Sequence, residues 1–191
     1  MRYPPQHKAE TSQKIVKDAA RRVRTEGLTG AAVAAVMRDA GLTHGGFYKY
    51  FPDKNELLIK SLEEGFRETS NRLVEAALLS EPAAAWKAIV RTYLSPQHCD
   101  HPEFGCPLAA LAPELARANR RMKPRILKEL ETYRTRMLPF MPGRRSADKA
   151  QAFLAIFSTM IGAVAIARIL PTRKARAAVL GAARDFLLRS F

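Results

Sequence analysis

The stretch "GLTHGGFYKYF", residues 41–51, decides the fold of the N-terminal third of the chain. It places two glycines before four aromatic residues, Phe47, Tyr48, Tyr50 and Phe51. These rings cannot all face one core, because successive residues of a helix project in different directions. Phe47 and Phe51 lie four positions apart and are expected to share the buried side. Tyr48 and Tyr50 lie off that side, so we expect their hydroxyl groups to face a partner that forms hydrogen bonds.

Short helices are predicted on both sides of this stretch. Apolar residues recur at helical spacing over residues 10–26 and 31–39, and Gly41 ends the second segment. Thr43 is the expected N-cap of a third helix over residues 43–50. Three helices in about 50 residues, two of them joined by a glycine-containing turn, are typical of a helix-turn-helix, which places its second helix in the major groove of DNA.

The rest of the chain is predicted to form further helices, which proline residues separate. Asp53, followed three residues later by Glu56, predicts the start of a long fourth helix. Five more helices are expected over approximate residues 82–94, 106–118, 119–138, 147–170 and 172–189. The fold class predicted is therefore all-α, with about nine helices and no convincing strand.

The composition and the motifs of the chain limit the classes of protein to which it can belong. The 191 residues are 47% hydrophobic and carry a net charge of +14, which allows a sizeable core and favours a polyanionic partner. The N-terminus has no apolar signal core, and two cysteines do not make a disulfide framework, so we expect a cytoplasmic protein. No phosphate loop, nucleophile elbow or metalloprotease helix occurs. No enzyme, cofactor or metal is therefore predicted.

A family resemblance rests on the segment "GLTHGGFYKYFPDKNELL", residues 41–58. With the helix before it, this segment resembles the DNA-binding domain of TetR/AcrR-type transcriptional regulators. "GCPLAALAPELA", residues 105–116, is similar to a segment of one subgroup. The resemblance implies a TetR-type helix-turn-helix DNA-binding domain over residues 8–69. It also implies a C-terminal helical ligand-binding and dimerisation domain, over residues 70–191.

The resemblance also implies residue roles. Thr43 caps the recognition helix and contacts phosphate, while Tyr48 lies over the DNA backbone or bases. Tyr50 and Lys54 meet phosphate groups. The complete set of expected DNA-binding residues is Thr29, Gly30, Thr43, His44, Gly45, Gly46, Tyr48, Lys49, Tyr50 and Lys54.

Two positions of this set depart from the family pattern. Many members have Lys where His44 stands and Thr or Ser where Gly46 stands, so contacts through the backbone are expected there. Gly45 and Gly46 are poor helix formers, and their missing side chains would let the backbone approach DNA closely.

The last two predicted helices each carry a face of small residues. Such faces let another helix approach closely, and two helices from each of two subunits would form a four-helix interface. TetR-type proteins dimerise through their last two helices. The expected interface residues are Ala155, Thr159, Gly162, Ile166, Ala175, Ala178 and Ala182. In the alternative interpretation both faces belong to the core of one chain.

An inducer pocket in the C-terminal domain is also implied by the resemblance, for a small molecule that the sequence does not identify. The candidate lining residues are Phe66, Trp86, Tyr93, Phe104, Cys106, Met122, Tyr133, Met137, Phe157 and Met160.

Both cysteines and two of the four histidines fall between His98 and Cys106. Chance clustering in a loop is the first interpretation. In the second, Cys106 begins a helix, whose dipole lowers the thiol pKa and makes it a sensor of reactive chemicals. In the third, Cys99, Cys106, His98 and His101 bind a metal ion, although their spacing matches no common zinc pattern.

The positive charge is concentrated outside the helix-turn-helix. Residues 117–149 hold eleven basic and three acidic residues. A solvated surface, steering towards DNA, and contact with an acidic ligand or an anionic membrane remain open as explanations. The N-terminal arm around Pro4 and Pro5, with Arg2, His7 and Lys8, is expected to be a disordered tail.

Together these features predict a homodimeric DNA-binding transcriptional regulator that does not bind membranes. It is expected to be a repressor of a palindromic double-stranded operator, released by a small molecule or a thiol-reactive signal. The alternative is a basic helical membrane-surface or lipid-carrier protein, which would use the apolar segment 150–167.

Overall fold

The structure, a computed structural model, describes residues 5–191, and those residues contain helices and no strand. The all-α prediction is confirmed. Nine α-helices lie within the described part: α1 Pro5–Gly30, α2 Val33–Asp39, α3 Lys54–Leu78, α4 Ala85–Tyr93, α5 Pro96–Asp100, α6 Pro107–Ala116, α7 Lys123–Met137, α8 Ser146–Ile169 and α9 Arg173–Ser190. Four short 3-10 helices join them: His44–Lys49, Pro82–Ala84, Pro102–Phe104 and Leu138–Phe140.

The helix count matches the sequence prediction, but its membership differs. The segment between α2 and α3 is a 3-10 helix, His44–Lys49, here called the 44–49 helix. The region after α4 was predicted to be a loop, yet Pro96–Asp100 forms α5, because Ser95 caps it by accepting a hydrogen bond from the His98 N–H.

The start of α1 corrects another expectation. Pro5, His7 and Lys8 belong to α1 and not to a disordered tail. Arg2 and Pro4, the other residues of the expected arm, lie outside the described residues. Gly27 breaks the helix, because its φ of 79° is left-handed and leaves only a short turn up to Gly30.

Helix α3 connects all parts of the molecule. Asp53 caps its N-terminus by accepting a hydrogen bond from the Glu56 N–H at 2.9 Å. Its 25 residues contribute Leu57 to a core with α1, α2 and the 44–49 helix. Leu58 belongs to a second apolar cluster with α6 and α7, and Phe66 to a third in the C-terminal half. The expected domain boundary at residue 69 therefore falls inside one continuous helix.

The C-terminal core is built mainly by α8. Its bulky face is buried, with Phe153, Ile156, Phe157, Met160 and Val164 inside. Helix α9 packs against it through Leu180 and Leu187. Phe186 lies on the outer side of α9 and is 56% exposed.

Candidate nucleic-acid interface

The turn between α2 and the 44–49 helix depends on one glycine. Gly41 has a φ of 78°, a conformation that side chains with a Cβ rarely adopt. The next residue, Leu42, donates its N–H to the carbonyl oxygen of Met37 at 2.8 Å, which closes the end of α2. The chain therefore changes direction here and presents the 44–49 helix beside α2.

Two phenylalanines fix the 44–49 helix from behind. Phe47 and Phe51 are 2% and 1% exposed, as predicted, and their ring centres lie 5.6 Å apart. They pack with Ile15, Val36 and Met37 of the N-terminal core. The position of the 44–49 helix is therefore set by core packing.

The outer side of the same helix is accessible. Tyr48 is 72% exposed, and its ring meets Phe47 edge-on with centres 5.3 Å apart. His44 and Lys49 are also exposed. Tyr50 differs from the expectation for an outward tyrosine, because it is half-buried and packs against the N-terminal core.

Thr43 occupies the N-cap position, but its side chain makes no capping hydrogen bond. The residue is exposed, so its hydroxyl group is not engaged in holding the helix end. That arrangement leaves the hydroxyl able to bind a group outside the chain.

The three glycines of the expected DNA-binding set differ in whether packing inside the chain requires them. A Cβ at Gly45 would meet nothing within 4 Å, and one at Gly46 would make an ordinary contact with Met37 at 3.7 Å. Neither glycine is required by packing within the described chain. Gly30 is required, because a Cβ there would lie 2.6 Å from the Cβ of Glu26.

The remaining expected DNA-binding residues flank the 44–49 helix in the sequence. Thr29 is exposed in the turn that precedes α2, beside Gly30. Lys54 is half-buried and is the first residue of α3. The set thus occupies the approach to α2, the 44–49 helix and the start of α3.

Most of the expected pocket residues form packed core. The C-terminal core contains Phe66, Trp86, Tyr93, Cys106, Tyr133, Met137, Phe157 and Met160. The structure does not bring the other two to them. Met122 belongs to the middle cluster with α3, and Phe104 is 43% exposed under the guanidinium of Arg21.

The surroundings of Cys106 contradict the expected low thiol pKa. Cys106 is fully buried, and this burial raises its pKa, outweighing the N–H groups at the start of α6. The hydroxyl groups of Tyr93 and Tyr133 are buried beside the sulfur without a well-directed hydrogen bond to it. Their pKa values are also raised well above the usual range by burial.

The histidines near Cys106 do not form a metal site with it. His98 Nε2 accepts a hydrogen bond from the Cys106 N–H at 2.8 Å, so it faces the backbone and not the sulfur. His101 is exposed and contacts Glu103 at 3.3 Å. Among residues 5–191, no group of three or more His, Cys, Asp or Glu side chains is arranged to hold a metal ion.

The expected dimer residues lie on the accessible sides of α8 and α9. Ala155, Ile166, Ala178 and Ala182 are exposed, and Thr159, Gly162 and Ala175 are partly exposed. Three large apolar residues near them were not in the predicted set. Leu154, Ile169 and Phe186 are 62%, 81% and 56% exposed. Their outward direction follows from which face of each helix packs inside, which the sequence pattern did not settle for α9.

One buried arginine of α1 makes contacts with the C-terminal half of the chain. Arg24 of α1 is 3% exposed and donates to the carbonyl oxygen of Gly105 at 3.2 Å and to Glu68 at 2.7 Å. Thr69 donates to the same Gly105 oxygen at 3.3 Å. Glu114 of α6 accepts the N–H of Leu28 at 2.8 Å. The segment before Cys106 is therefore bound directly to α1.

A cavity of about 570 Å³ lies between α1, α3 and α7. Its lining is mixed in charge and includes two residues of the expected pocket set, Phe66 and Tyr133. Glu129 lines it as well, and burial, followed by the charge of Glu63, raises the pKa of its carboxyl group.

Comparison with known proteins agrees with this geometry. Residues 15–60 match the family model described as bacterial regulatory proteins, tetR family. The N-terminal part of the chain is therefore similar to tetR-family regulatory proteins. The matched segment contains α2, the 44–49 helix and the start of α3, so the similarity to tetR-family regulatory proteins covers the helix-turn-helix.

Solved structures share the complete fold. A TetR transcriptional regulator from Chloroflexus aurantiacus J-10-fl is 23% identical, with a TM-score of 0.78 over 96% of this chain and 95% of that one. The reduced form of Escherichia coli NemR is 18% identical, with a TM-score of 0.77 over 94% and 96%. FadR from Bacillus subtilis in complex with stearoyl-CoA is 17% identical, with a TM-score of 0.67 over 94% and 98%. A comparison with curated proteins found no match.

Proposed function

We propose that this protein is a TetR-family regulator, a cytoplasmic homodimeric repressor that binds a palindromic operator through two copies of the 44–49 helix. The observation that carries the proposal is the division of this helix into two sides. Phe47 and Phe51 fix it in the core, while Tyr48, His44 and Lys49 project into solvent. A helix whose inner side is fixed in the core and whose outer side is polar suits insertion into a major groove.

The individual contacts follow from that division. Tyr48 contacts bases or the DNA backbone, and the free hydroxyl of Thr43 binds phosphate. The open space at Gly45 allows the backbone to approach DNA closely. Thr29 and Lys54 contact phosphates on either side.

Dimerisation through α8 and α9 is supported by their exposed apolar surface. Leu154, Ile166, Ile169 and Phe186 are each more than half exposed, although α8 and α9 are packed on their other sides. Burying these side chains against a second copy is favourable by about 25 cal/mol per Å² of apolar surface. We assign residues 8–69 to DNA binding and residues 70–191 to dimerisation and signal binding, with α3 continuous between them.

A small-molecule signal is favoured over direct attack on a reactive thiol. The cavity between α1, α3 and α7 touches the DNA-binding part, so a ligand there would displace α1 relative to α7. Cys106 is buried with a raised pKa, and a thiol is attacked through its thiolate. A reagent can therefore reach Cys106 only after the core opens around it.

One experiment with Cys106→Ser distinguishes a small-molecule signal from attack on the thiol. If an electrophile such as N-ethylmaleimide is the signal, it releases wild-type protein from the operator and leaves Cys106→Ser bound. The cavity proposal expects slow and incomplete release of wild-type protein at neutral pH, because the thiol is protonated and covered. Fast release that Cys106→Ser abolishes would overturn the preference for a small-molecule signal.

A membrane-surface or lipid-carrier protein remains the alternative function. On length and composition alone, α8 could cross a membrane, with a mean hydropathy of 2.0 over its best window. Its bulky side chains are buried in the C-terminal core, which favours the role of a core helix. A helix-turn-helix is a DNA-binding motif, and binding to a membrane surface does not require one.

The direct test of DNA contact uses Tyr48→Ala. We expect it to weaken operator binding by about 1–3 kcal/mol while the melting temperature is nearly unchanged, because the ring is outside the core. Tyr48→Phe is the matched control, which keeps the ring and removes the hydroxyl group. Phe51→Ala is expected to do the opposite and to cost roughly 3–5 kcal/mol of stability. Unchanged operator affinity of Tyr48→Ala contradicts the proposal.

A further inference from the structure

We propose that residues 117–123, the loop between α6 and α7 together with the first residue of α7, here called the basic loop, form a second DNA-contacting surface that binds phosphates beside the helix-turn-helix. The inference rests on the proposed function and extends it to a part of the chain outside the DNA-binding domain. It assigns a role to the concentration of positive charge in residues 117–149.

The basic loop is attached to the start of α3. The guanidinium of Arg121 donates to the carboxylate of Asp53 at 2.5 Å. Asn119 lies next to Asn55, with Nδ2 3.5 Å from its Oδ1. Asp53 and Asn55 flank Lys54, which follows the 44–49 helix after four residues. The loop therefore lies at the end of α3 that the proposed function places on the DNA backbone.

The shape of the basic loop is fixed by its own side chains. Asn119 Oδ1 accepts hydrogen bonds from the N–H groups of Arg121 and Met122, both at 3.1 Å. Met122 is 3% exposed and packs with Leu58 and Ile59 of α3. Hydrogen bonds and burial thus hold the backbone of the loop against α3, so this backbone needs little further ordering when the loop binds a partner.

The charges of the loop are largely uncompensated. Arg117, Arg120 and Lys123 are exposed, and within residues 5–191 none of them forms an ion pair or a side-chain hydrogen bond. By contrast, Arg125 of α7 is paired with Glu63 and Glu56. Three free cations per subunit remain beside α3.

Arg121 removes an obstacle to phosphate binding at the same place. The Glu56 N–H, followed by the Arg121 guanidinium, lowers the pKa of Asp53 below its usual value, so this carboxyl group is ionised. An ionised carboxylate next to Lys54 would repel a phosphate, and the pairing with Arg121 neutralises it. With Asp53 neutralised, Lys54 and the unpaired cations of the loop can attract phosphate, which favours duplex DNA as the partner.

Salt dependence measures such contacts directly. Each phosphate that a protein neutralises releases condensed counterions, which adds about 0.9 to the slope of log affinity against log salt concentration. The test compares wild type with the triple variant Arg117→Gln, Arg120→Gln, Lys123→Gln on an operator selected from a random duplex pool. A matched control, Arg91→Gln, Arg144→Gln, Arg189→Gln, removes three exposed cations elsewhere. Sedimentation and thermal melting check that both variants remain folded dimers.

We expect the salt slope of the triple variant to be shallower by at least about 2, because a dimer has two loops. Its affinity falls by a similar factor on every duplex, since phosphate contacts carry no sequence information. The control variant keeps the wild-type slope. An equal slope in all three proteins, or an equal loss in the control, overturns the inference.

Two further outcomes separate this inference from the proposed function. If wild type binds no duplex, the proposed function fails as well. If wild type binds its operator and the triple variant has an unchanged slope, only the role of the loop fails. Binding to vesicles of anionic phospholipid that the triple variant loses, with an unchanged slope on DNA, assigns the loop to a membrane and overturns the DNA role.

Discussion

His98 is held in the C-terminal core by two hydrogen bonds to backbone groups. Its Nδ1 lies 2.7 Å from the carbonyl oxygen of Tyr93, so Nδ1–H is the donor there. Its Nε2 accepts the N–H of Cys106 at 2.8 Å. Both nitrogens are therefore satisfied only in the neutral ring. Burial lowers the pKa of His98 to about 4.

This environment predicts a loss of stability in acid. Between the ordinary histidine pKa of 6.5 and the folded value of about 4, the unfolded chain binds a proton that the folded chain does not. The free energy of unfolding therefore falls as the pH is lowered through this range, by roughly 3 kcal/mol at its lower end.

The measurement is urea unfolding at a series of pH values for wild type and His98→Gln. The glutamine cannot be protonated, so the pH dependence of its unfolding free energy is expected to be smaller between pH 6.5 and 4. His101→Gln changes an exposed histidine and serves as the control. Equal pH dependence in wild type and His98→Gln contradicts a neutral, buried His98.

The sequence predicts the burial of some single residues correctly and the chemistry of others wrongly. Phe47 and Phe51 were assigned to the core from their spacing, because neighbours along a helix determine which side is buried. Cys106 was misjudged, because the expected pKa used only its position at the start of a helix. The burial that raises the pKa comes from packing in the C-terminal core, whose residues are distant in sequence.

At the scale of helices, α8 and α9 have one packed and one open side. Gly162 lies on the open side of α8, where an added Cβ would meet nothing within 4 Å. A large residue can therefore be placed there without a clash inside the chain. The proposed dimer needs that space for the helices of the partner.

Gly162→Phe is expected to convert the dimer to a monomer, because the new ring holds the two helix pairs apart. Folding is expected to be retained, since the site is open within one chain. Gly162→Ala is the control and should remain dimeric, with a helix more stable by about 1 kcal/mol. Analytical ultracentrifugation at micromolar concentration measures both. A monomeric wild type, or a Gly162→Phe variant that stays dimeric, contradicts the proposed interface.

The helices differed in how well their sequences predicted them. Helix α3 and the core side of α8 follow from long apolar periodicity and from the cap at Asp53. Helix α5 has only five residues, which are too few to show a periodic pattern. A local signal for it in the sequence is its cap, Ser95. Gly45 and Gly46 disfavour a regular α-helix in the 44–49 segment, which forms a 3-10 helix.

At the scale of the whole molecule, α3 and the contacts of Arg24 join the DNA-binding part to the C-terminal core. Arg24 ties α1 to the carbonyl oxygen of Gly105, one residue before the buried thiol. A ligand that moves this segment, or opens the 570 Å³ cavity, would shift α1 and with it the 44–49 helix. In a dimer such a shift changes the separation of two recognition helices, which must match the spacing of successive major grooves.

The most direct test of the central claim is selection of bound sequences from a random pool of DNA duplexes by the wild-type protein. We expect the selected duplexes to share an inverted repeat, with half-sites about 10 base pairs apart or at a multiple of one helical turn. Protection of both half-sites by one dimer, lost together in Tyr48→Ala, would agree with two copies of the 44–49 helix reading one operator. Selection that yields no common sequence, or a single asymmetric site bound by a monomer, would contradict the claim.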